Sequence, residues 1–250
     1  MNREWQDASL PEGYRLEHRA ETGSTNDDVR EAARAGAAAG LVVAAEVQAA
    51  GRGRRGGAWV CPPGEGLAFS VLLRPAEKKE LWPRLSLVAG LAVAEALDRC
   101  GVVAEVKWPN DIWIGGRKVC GILVEAGENF VVVGIGINVG VRGFPDALAD
   151  SATSLAIECG EAPPRTAVLA AVLERLQVWE GCIGSRFGEP LRRLRERCAL
   201  TGKRVRMSRG DEVLSGQAAG IGDGGELLLR DASGVRKIVQ ADEVRVLADS

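Results

Sequence analysis

Apolar residues recur along the chain in two rhythms, one suited to strands and one to helices. Leu41–Gln48 and Leu67–Leu73 are runs rich in branched and aromatic residues, bounded by glycine or polar positions, and predict strands. Ser24-Thr25-Asn26-Asp27-Asp28 supplies hydroxyl, amide and acidic groups ahead of Val29 and Ala32-Ala33, which predicts a helix start, with Gly36 as the stop. Leu81–Cys100 repeats apolar and small residues at helical spacing and ends at Gly101. Val102–Lys107, Asp111–Ile114 and Lys118–Glu125 then predict strands, with Gly115-Gly116 as the hairpin turn between the last two. Phe130–Asn138 predicts a buried strand and Leu148–Glu158 a weakly helical stretch. Thr166–Phe187 and Pro190–Cys198 predict helices. From Lys203 onward the rhythm shortens to alternating runs at 205–207, 215–221, 226–229 and 236–239, cut by glycine-rich turns. That change predicts a mixed α/β domain over 1–200 and a small all-β barrel over 201–250.

Composition narrows the picture. The chain has 250 residues, 46% of them hydrophobic, which is enough to bury a full core. No stretch approaches the roughly 18 apolar residues of a membrane span, and the first residues carry no apolar signal run. A cytoplasmic protein without a membrane partner is expected. A formal net charge of −2 argues against bulk nucleic-acid binding. The six cysteines (Cys61, Cys100, Cys120, Cys159, Cys182, Cys198) form no Cys-x-x-Cys pair and read as buried thiols. His18 is the single histidine, which disfavours a histidine-dependent nucleophile and leaves no metal-ligand set. Catalysis must then use Lys, Arg, Asp, Asn and backbone groups.

Against that neutral background, Gly51-Arg52-Gly53-Arg54-Arg55-Gly56 concentrates three arginines in six positions. Glycine lets the backbone approach a ligand, and guanidinium groups match phosphate and carboxylate oxygens in pairs. The loop matches Gly-x-Gly-x-x-Gly, but a dinucleotide site needs a helix at its end. Trp59-Val60-Cys61-Pro62-Pro63-Gly64 follows instead, and a second match at Gly134–Asn138 lies inside an apolar strand. Lys107-Trp108-Pro109-Asn110-Asp111 places two charges on a proline-stiffened corner; the same pair could be a structural ion pair. Ser24 and Thr25 could likewise serve only as helix caps. Lys118 heads an apolar strand, and Gly121 leaves room for close approach. These cationic clusters suit a reaction that develops negative charge on phosphate oxygens, such as adenylation of a carboxylic acid.

Taken with Ser24-Thr25-Asn26, Gln48, Trp59, Gly116-Arg117-Lys118, Gly121-Ile122-Leu123 and Gly134–Asn138, in that order, these motifs resemble biotin–protein ligases over nearly the whole chain. The resemblance implies an α+β (mixed α/β) catalytic domain of the biotin/lipoate ligase type and a C-terminal SH3-like β-barrel. It implies that biotin and MgATP form biotinyl-5′-AMP, which then acylates a lysine of a biotin carboxyl carrier protein. Ser24, Thr25, Asn26 and Gln48 would hold the head of biotin. Gly51, Arg52, Gly53, Arg54 and Gly121 would line its carboxylate side. Lys118 would bridge carboxylate and α-phosphate. Arg55, Trp59, Lys107, Asn110 and Asn138 would serve ATP, and Asp111 the incoming lysine. Lys118, Arg54, Asp111 and Lys107 are thus the candidate catalytic set, with no protein-held metal.

Gly57-Ala58 departs from the basic residues common before the tryptophan. The short leader suggests the type without an N-terminal DNA-binding domain, as a monomer or homodimer. A lipoate–protein ligase and a non-catalytic biotin sensor are the alternatives.

Overall fold

A computed structural model describes residues 3–6, 8–60 and 62–247. Cys61 lies outside the described residues, as does the side chain of Arg55. Seven helices longer than one turn of 3₁₀ occur among them: α1 (Arg3–Gln6), α2 (Thr25–Arg34), α3 (Arg84–Leu97), α4 (Asp146–Ala149), α5 (Leu155–Cys159), α6 (Arg165–Trp179) and α7 (Gly188–Glu196). None is long and apolar enough to cross a membrane.

The large sheet has seven strands: β1 (Arg15–Thr22), β2 (Leu41–Gln48), β3 (Gly66–Leu73), β4 (Glu105–Lys107), β5 (Asp111–Ile114), β6 (Arg117–Ala126) and β7 (Val131–Asn138). Their order is β1-β2-β3-β7-β6-β5-β4, and only β1 and β2 run parallel. Side chains alternate across each strand, so each strand divides its residues between two faces. Phe69, Val71, Ile122, Val133, Ile135 and Ile137 join the main core with α3 and α6. Leu41, Val43, Leu72 and Val132 face the other way and bury Val29 and Ala33 of α2. The even positions of β7 and the odd positions of β6 therefore share the α2 face, where the register sets Gly136 opposite Gly121 and Gly134 opposite Leu123.

A second sheet holds β8 (Arg204–Arg209), β9 (Glu212–Ile221), β10 (Leu227–Asp231), β11 (Gly234–Ile238) and β12 (Glu243–Val246), in the order β11-β10-β9-β8-β12. All its pairings are antiparallel, and β11 and β12 are its outermost strands. The sheet docks on the larger unit through the Trp108 indole N–H, which donates to the Gly225 carbonyl at 3.0 Å, and through Arg195 to the Ile221 carbonyl at 2.8 Å.

Several expectations need correction. β1 is a strand where the sequence reads as a polar leader: as an edge strand it keeps Arg15, Arg19 and Glu21 in water and offers few apolar positions. β12 is likewise polar and short. The helix expected to reach Phe187 stops at Trp179, where a 3₁₀ turn begins. Cys120, Cys182 and Cys198 are buried, but Cys159 is exposed and Cys100 half-buried.

Candidate active site

Four segments converge at one end of the large sheet, on the face that carries α2. The first turn of α2 supplies Ser24, Thr25 and Asn26, all buried although polar. Such groups need partners, and Thr25 and Asn26 have them. The Thr25 backbone N–H donates to Gln48 Oε1 at 2.9 Å, so the last side chain of β2 is fixed to the helix start. The Thr25 and Ser70 hydroxyls lie 2.7 Å apart, and Ser70 donates to Asn26 Oδ1 at 2.6 Å. Asn26 Nδ2 donates to Glu125 Oε2 at 2.6 Å. A polar cluster is thus assembled inside an apolar sheet, with its groups held in fixed orientations.

The arginine loop forms the roof. Its backbone folds on itself: Arg52 bridges Ala58, the Gly53 N–H donates to the Gly57 carbonyl at 2.5 Å, and the Trp59 N–H to the Gly51 carbonyl at 2.9 Å. No α-helix follows, only the single 3₁₀ turn Arg54–Gly56. Arg54 donates to Asn110 Oδ1 at 3.1 Å and to the Ala241 carbonyl at 2.9 Å, so it joins the loop to the second sheet. Arg52 grips both oxygens of Asp27, at 2.5 and 2.7 Å.

The floor is glycine for a steric reason. A Cβ on Gly136 would lie 2.2 Å from the Trp59 ring, and one on Gly134 would lie 2.1 Å from Asn26 Oδ1. Those two positions on β7 let the indole and the amide lie directly on the sheet. Gly121 plays the same part on β6, where a Cβ would meet Trp59 and Lys118 Nζ at 3.2 Å each. The Lys118 ammonium stands 5.7 Å from the Trp59 ring centre and 2.7 Å from Asp111 Oδ1.

Ser24, Thr25, Asn26, Gln48, Arg52, Gly53, Arg54, Trp59, Asn110, Lys118 and Gly121 line a common cavity of about 60 Å³. Among the expected residues, Gly51, Lys107, Asp111 and Asn138 stand off its wall. Gly51 packs its backbone against Trp59. Asn138 donates to the Thr153 carbonyl at 2.9 Å. Lys107 stands behind Asp111, 3.9 Å from it, over the Trp113 ring. Burial lowers the pKa of Lys107; Asp111 opposes that shift and the Lys118 charge adds to it. Ser70, Asp27 and Glu125 were not expected. Ser70 could have been found as the one hydroxyl in an apolar strand; the two carboxylates had no local signal.

With Trp59 in place the cavity is far below the roughly 300–1,000 Å³ of small-molecule sites. Beyond Arg54 it adjoins a larger cleft of about 410 Å³, lined by Trp82, Pro109, Ile122, Leu123 and, from the second sheet, Val239 and Gln240. Among the described residues no group of three or more His, Cys, Asp or Glu could hold a metal ion.

The cavity presents hydroxyl and amide groups of Thr25, Asn26 and Gln48 together with the cations of Arg54 and Lys118, a chemistry that suits a molecule with hydrogen-bonding groups and an anion. Comparison with known proteins agrees with that geometry. Residues 21–141 match the biotin/lipoate A/B protein ligase family and residues 200–244 the biotin protein ligase C-terminal domain. A Bacillus spizizenii protein named bifunctional ligase/repressor BirA is 37% identical, over 92% of this chain and 74% of its own length. A Mycobacterium tuberculosis biotin–[acetyl-CoA-carboxylase] ligase is 37% identical, over 90% of this chain and 86% of its own. The structure of an Aquifex aeolicus biotin protein ligase in complex with biotin and ATP superimposes with a TM-score of 0.84 at 31% identity, covering 93% of this chain and 99% of that one.

Proposed function

The chain belongs to the biotin–protein ligase family, and from that premise we propose that it activates biotin with ATP and transfers it to a lysine of a biotin carboxyl carrier protein in the cytoplasm. The observation that carries this reading is the shared cavity, with Thr25, Asn26 and Gln48 at one end and Arg54, Asn110 and Lys118 at the other. Residues 1–200 would form the catalytic domain and 201–250 the C-terminal domain.

In the first half-reaction a carboxylate oxygen of biotin attacks the α-phosphorus of ATP. The bond from that phosphorus to the bridging oxygen breaks, and pyrophosphate leaves with the electron pair. Negative charge gathers on the α-phosphate oxygens, where fixed cations give the largest benefit. Lys118 is the cation on the cavity wall whose position Asp111 fixes, so it takes the role of stabilising that charge. Arg54 adds a guanidinium from the roof, and Trp59 borders the nucleotide. Lys107, off the wall, acts through Asp111. In the second half-reaction the carrier amine attacks the acyl carbon and AMP leaves; Asp111, behind Lys118, takes the role of orienting the amine or accepting the proton it loses.

Mg²⁺ would supply charge neutralisation on the phosphate chain. The donor set fits a cation brought in by the nucleotide, because the three carboxylates at the site are engaged: Asp111 with Lys118, Asp27 with Arg52 and Arg30, Glu125 with Asn26 and Arg30.

The choice of biotin over lipoic acid follows from the polar end. A ureido ring can exchange hydrogen bonds with the hydroxyl and amide groups there, whereas a dithiolane offers them neither donor nor strong acceptor. Mass spectrometry of a carrier domain incubated with this protein and MgATP tests the reading. A biotinyl mass increment with biotin, and none with lipoic acid, is expected. Labelling by lipoic acid alone, or by neither, would overturn it.

A further inference from the structure

Gln48 ends β2 at the cavity already described, and a second cleft lies where β1 and β2 begin, one strand length or roughly 25 Å away. Its volume is about 430 Å³, within the range of small-molecule sites. Tyr14, Arg74, Glu77 and Glu180 supply its polar wall, and Leu73 and Pro75 an apolar one. The two strand starts meet without any side chain between them. A Cβ on Gly40, whose φ is +85°, would lie 2.0 Å from the Gly13 carbonyl oxygen.

Two oxygens in this wall are buried and have no hydrogen-bond partner among the described residues: the Tyr14 hydroxyl and Glu180 Oε2. Buried polar groups are ordinarily satisfied, so an orphaned pair beside a cleft calls for a donor from outside the chain. The protein's own cations are engaged elsewhere. Arg74 donates to the Ala33 and Ala37 carbonyls at 3.1 and 2.9 Å. On the helices packed against the Glu180 turn, Arg84 of α3 donates to the Ile183 carbonyl at 2.8 Å, and Arg175 of α6 to Glu95 at 2.8 Å. Glu174 of α6 pairs with Arg99. Glu77 adds a second acid to the wall, and Tyr14 is neutral. Burial pushes the Glu180 carboxyl up to about 7, and the Tyr14 hydroxyl is raised with it.

We propose that this cleft is a second binding site, which takes a small primary alkylammonium compound: the ammonium pairs with the Glu180 carboxylate, the Tyr14 hydroxyl oxygen accepts a further hydrogen bond, and the alkyl chain lies on Leu73 and Pro75. An ammonium has three donors and the charge that the wall lacks. The outer torsion of a glutamate is soft, so the carboxylate can turn its buried oxygen toward the cation. Below pH 7 the arriving ammonium displaces the Glu180 proton to solvent. The ionised form is the one that binds, so the apparent affinity scales with the ionised fraction. With a carboxyl near 7, that fraction changes about ten-fold between pH 6 and pH 8.

The test is titration of the full chain with hexylammonium chloride, followed by calorimetry and by NMR. Tyr14 is the single tyrosine of the chain, so labelling tyrosine with ¹³C reports on this cleft alone. Hexylammonium is expected to bind at pH 8 and to move the Tyr14 ring signals, with binding about ten-fold weaker at pH 6. Glu180→Gln, which keeps the side-chain shape, is expected to lose at least about ten-fold in affinity, and Tyr14→Phe roughly three- to ten-fold. 1-Hexanol, with the same chain and no charge, is expected not to compete. No binding by the unsubstituted protein, binding that leaves the Tyr14 signals in place, or equal binding by Glu180→Gln would each overturn the proposal. The pH profile of the unsubstituted protein decides the matter even if a variant fails to fold. None of these readouts involves biotin or a carrier, so the cleft is judged independently of the ligase reading.

Discussion

At the scale of single residues, the site depends as much on missing side chains as on present ones. Gly136 lies where a Cβ would come within 2.2 Å of the Trp59 indole, and the indole in turn borders Lys118. Replacing Gly136 by alanine must push the ring off the sheet. The Gly136→Ala protein is expected to fold, because β7 keeps its pairing, and to lose at least about ten-fold in biotin-dependent pyrophosphate exchange. Unchanged exchange would mean that Trp59 has no part in shaping the site. The glycine pattern at 134–136 is visible in the sequence, where it mimics a nucleotide fingerprint. Its physical reason, a clash on one face of a strand, requires the register between β6 and β7. Ser24, Thr25, Asn26, Gln48, Arg54, Asn110 and Lys118, which the family resemblance singled out, line one cavity. Asp27 and Glu125 were not singled out. An acidic residue in a first helical turn ordinarily reads as a dipole partner, and the pairing with Arg52 spans 25 and 73 residues.

At the scale of elements, strands with two buried faces were easy to find and edge strands were not. β2, β3 and β7 are dense in branched residues because both faces are covered. β1 carries five charged or histidine side chains in eight residues, as suits the outermost strand of its sheet. The end of α6 shows a different kind of constraint. Glu180, in the 3₁₀ turn after the helix, is desolvated, and burial pushes its carboxyl up to about 7. The nearby Tyr14 hydroxyl is raised as well, first by burial and then by the Glu180 charge. A carboxyl whose folded value lies above its ordinary one near 4.5 holds its proton more tightly in the folded state. Stability therefore falls as pH rises from about 4.5 to about 7, where the buried group ionises. Glu180→Gln removes that loss: its melting temperature should exceed that of the unsubstituted protein at pH 8 and approach it at pH 5, measured by scanning fluorimetry. Parallel melting curves across that range would show that Glu180 is hydrated in the folded state.

At the scale of the whole molecule, the second sheet completes the first. Arg54 crosses between them, with Asn110 on one side and the Ala241 carbonyl on the other, and Trp108 reaches Gly225 from the same corner. The change of rhythm after Lys203 announced a second unit; nothing in the spacing announced that it would hold a loop arginine. In the proposed ligase the arginine roof and the ammonium of Lys118 act on one acyl-phosphate. That joint action is tested most directly by biotin-dependent exchange of labelled pyrophosphate into ATP, comparing Lys118→Ala with the unsubstituted protein at matched melting temperature. Losing the fixed cation at the developing charge is expected to lower exchange by roughly 100- to 1,000-fold. Near-normal exchange by a folded Lys118→Ala protein would contradict it.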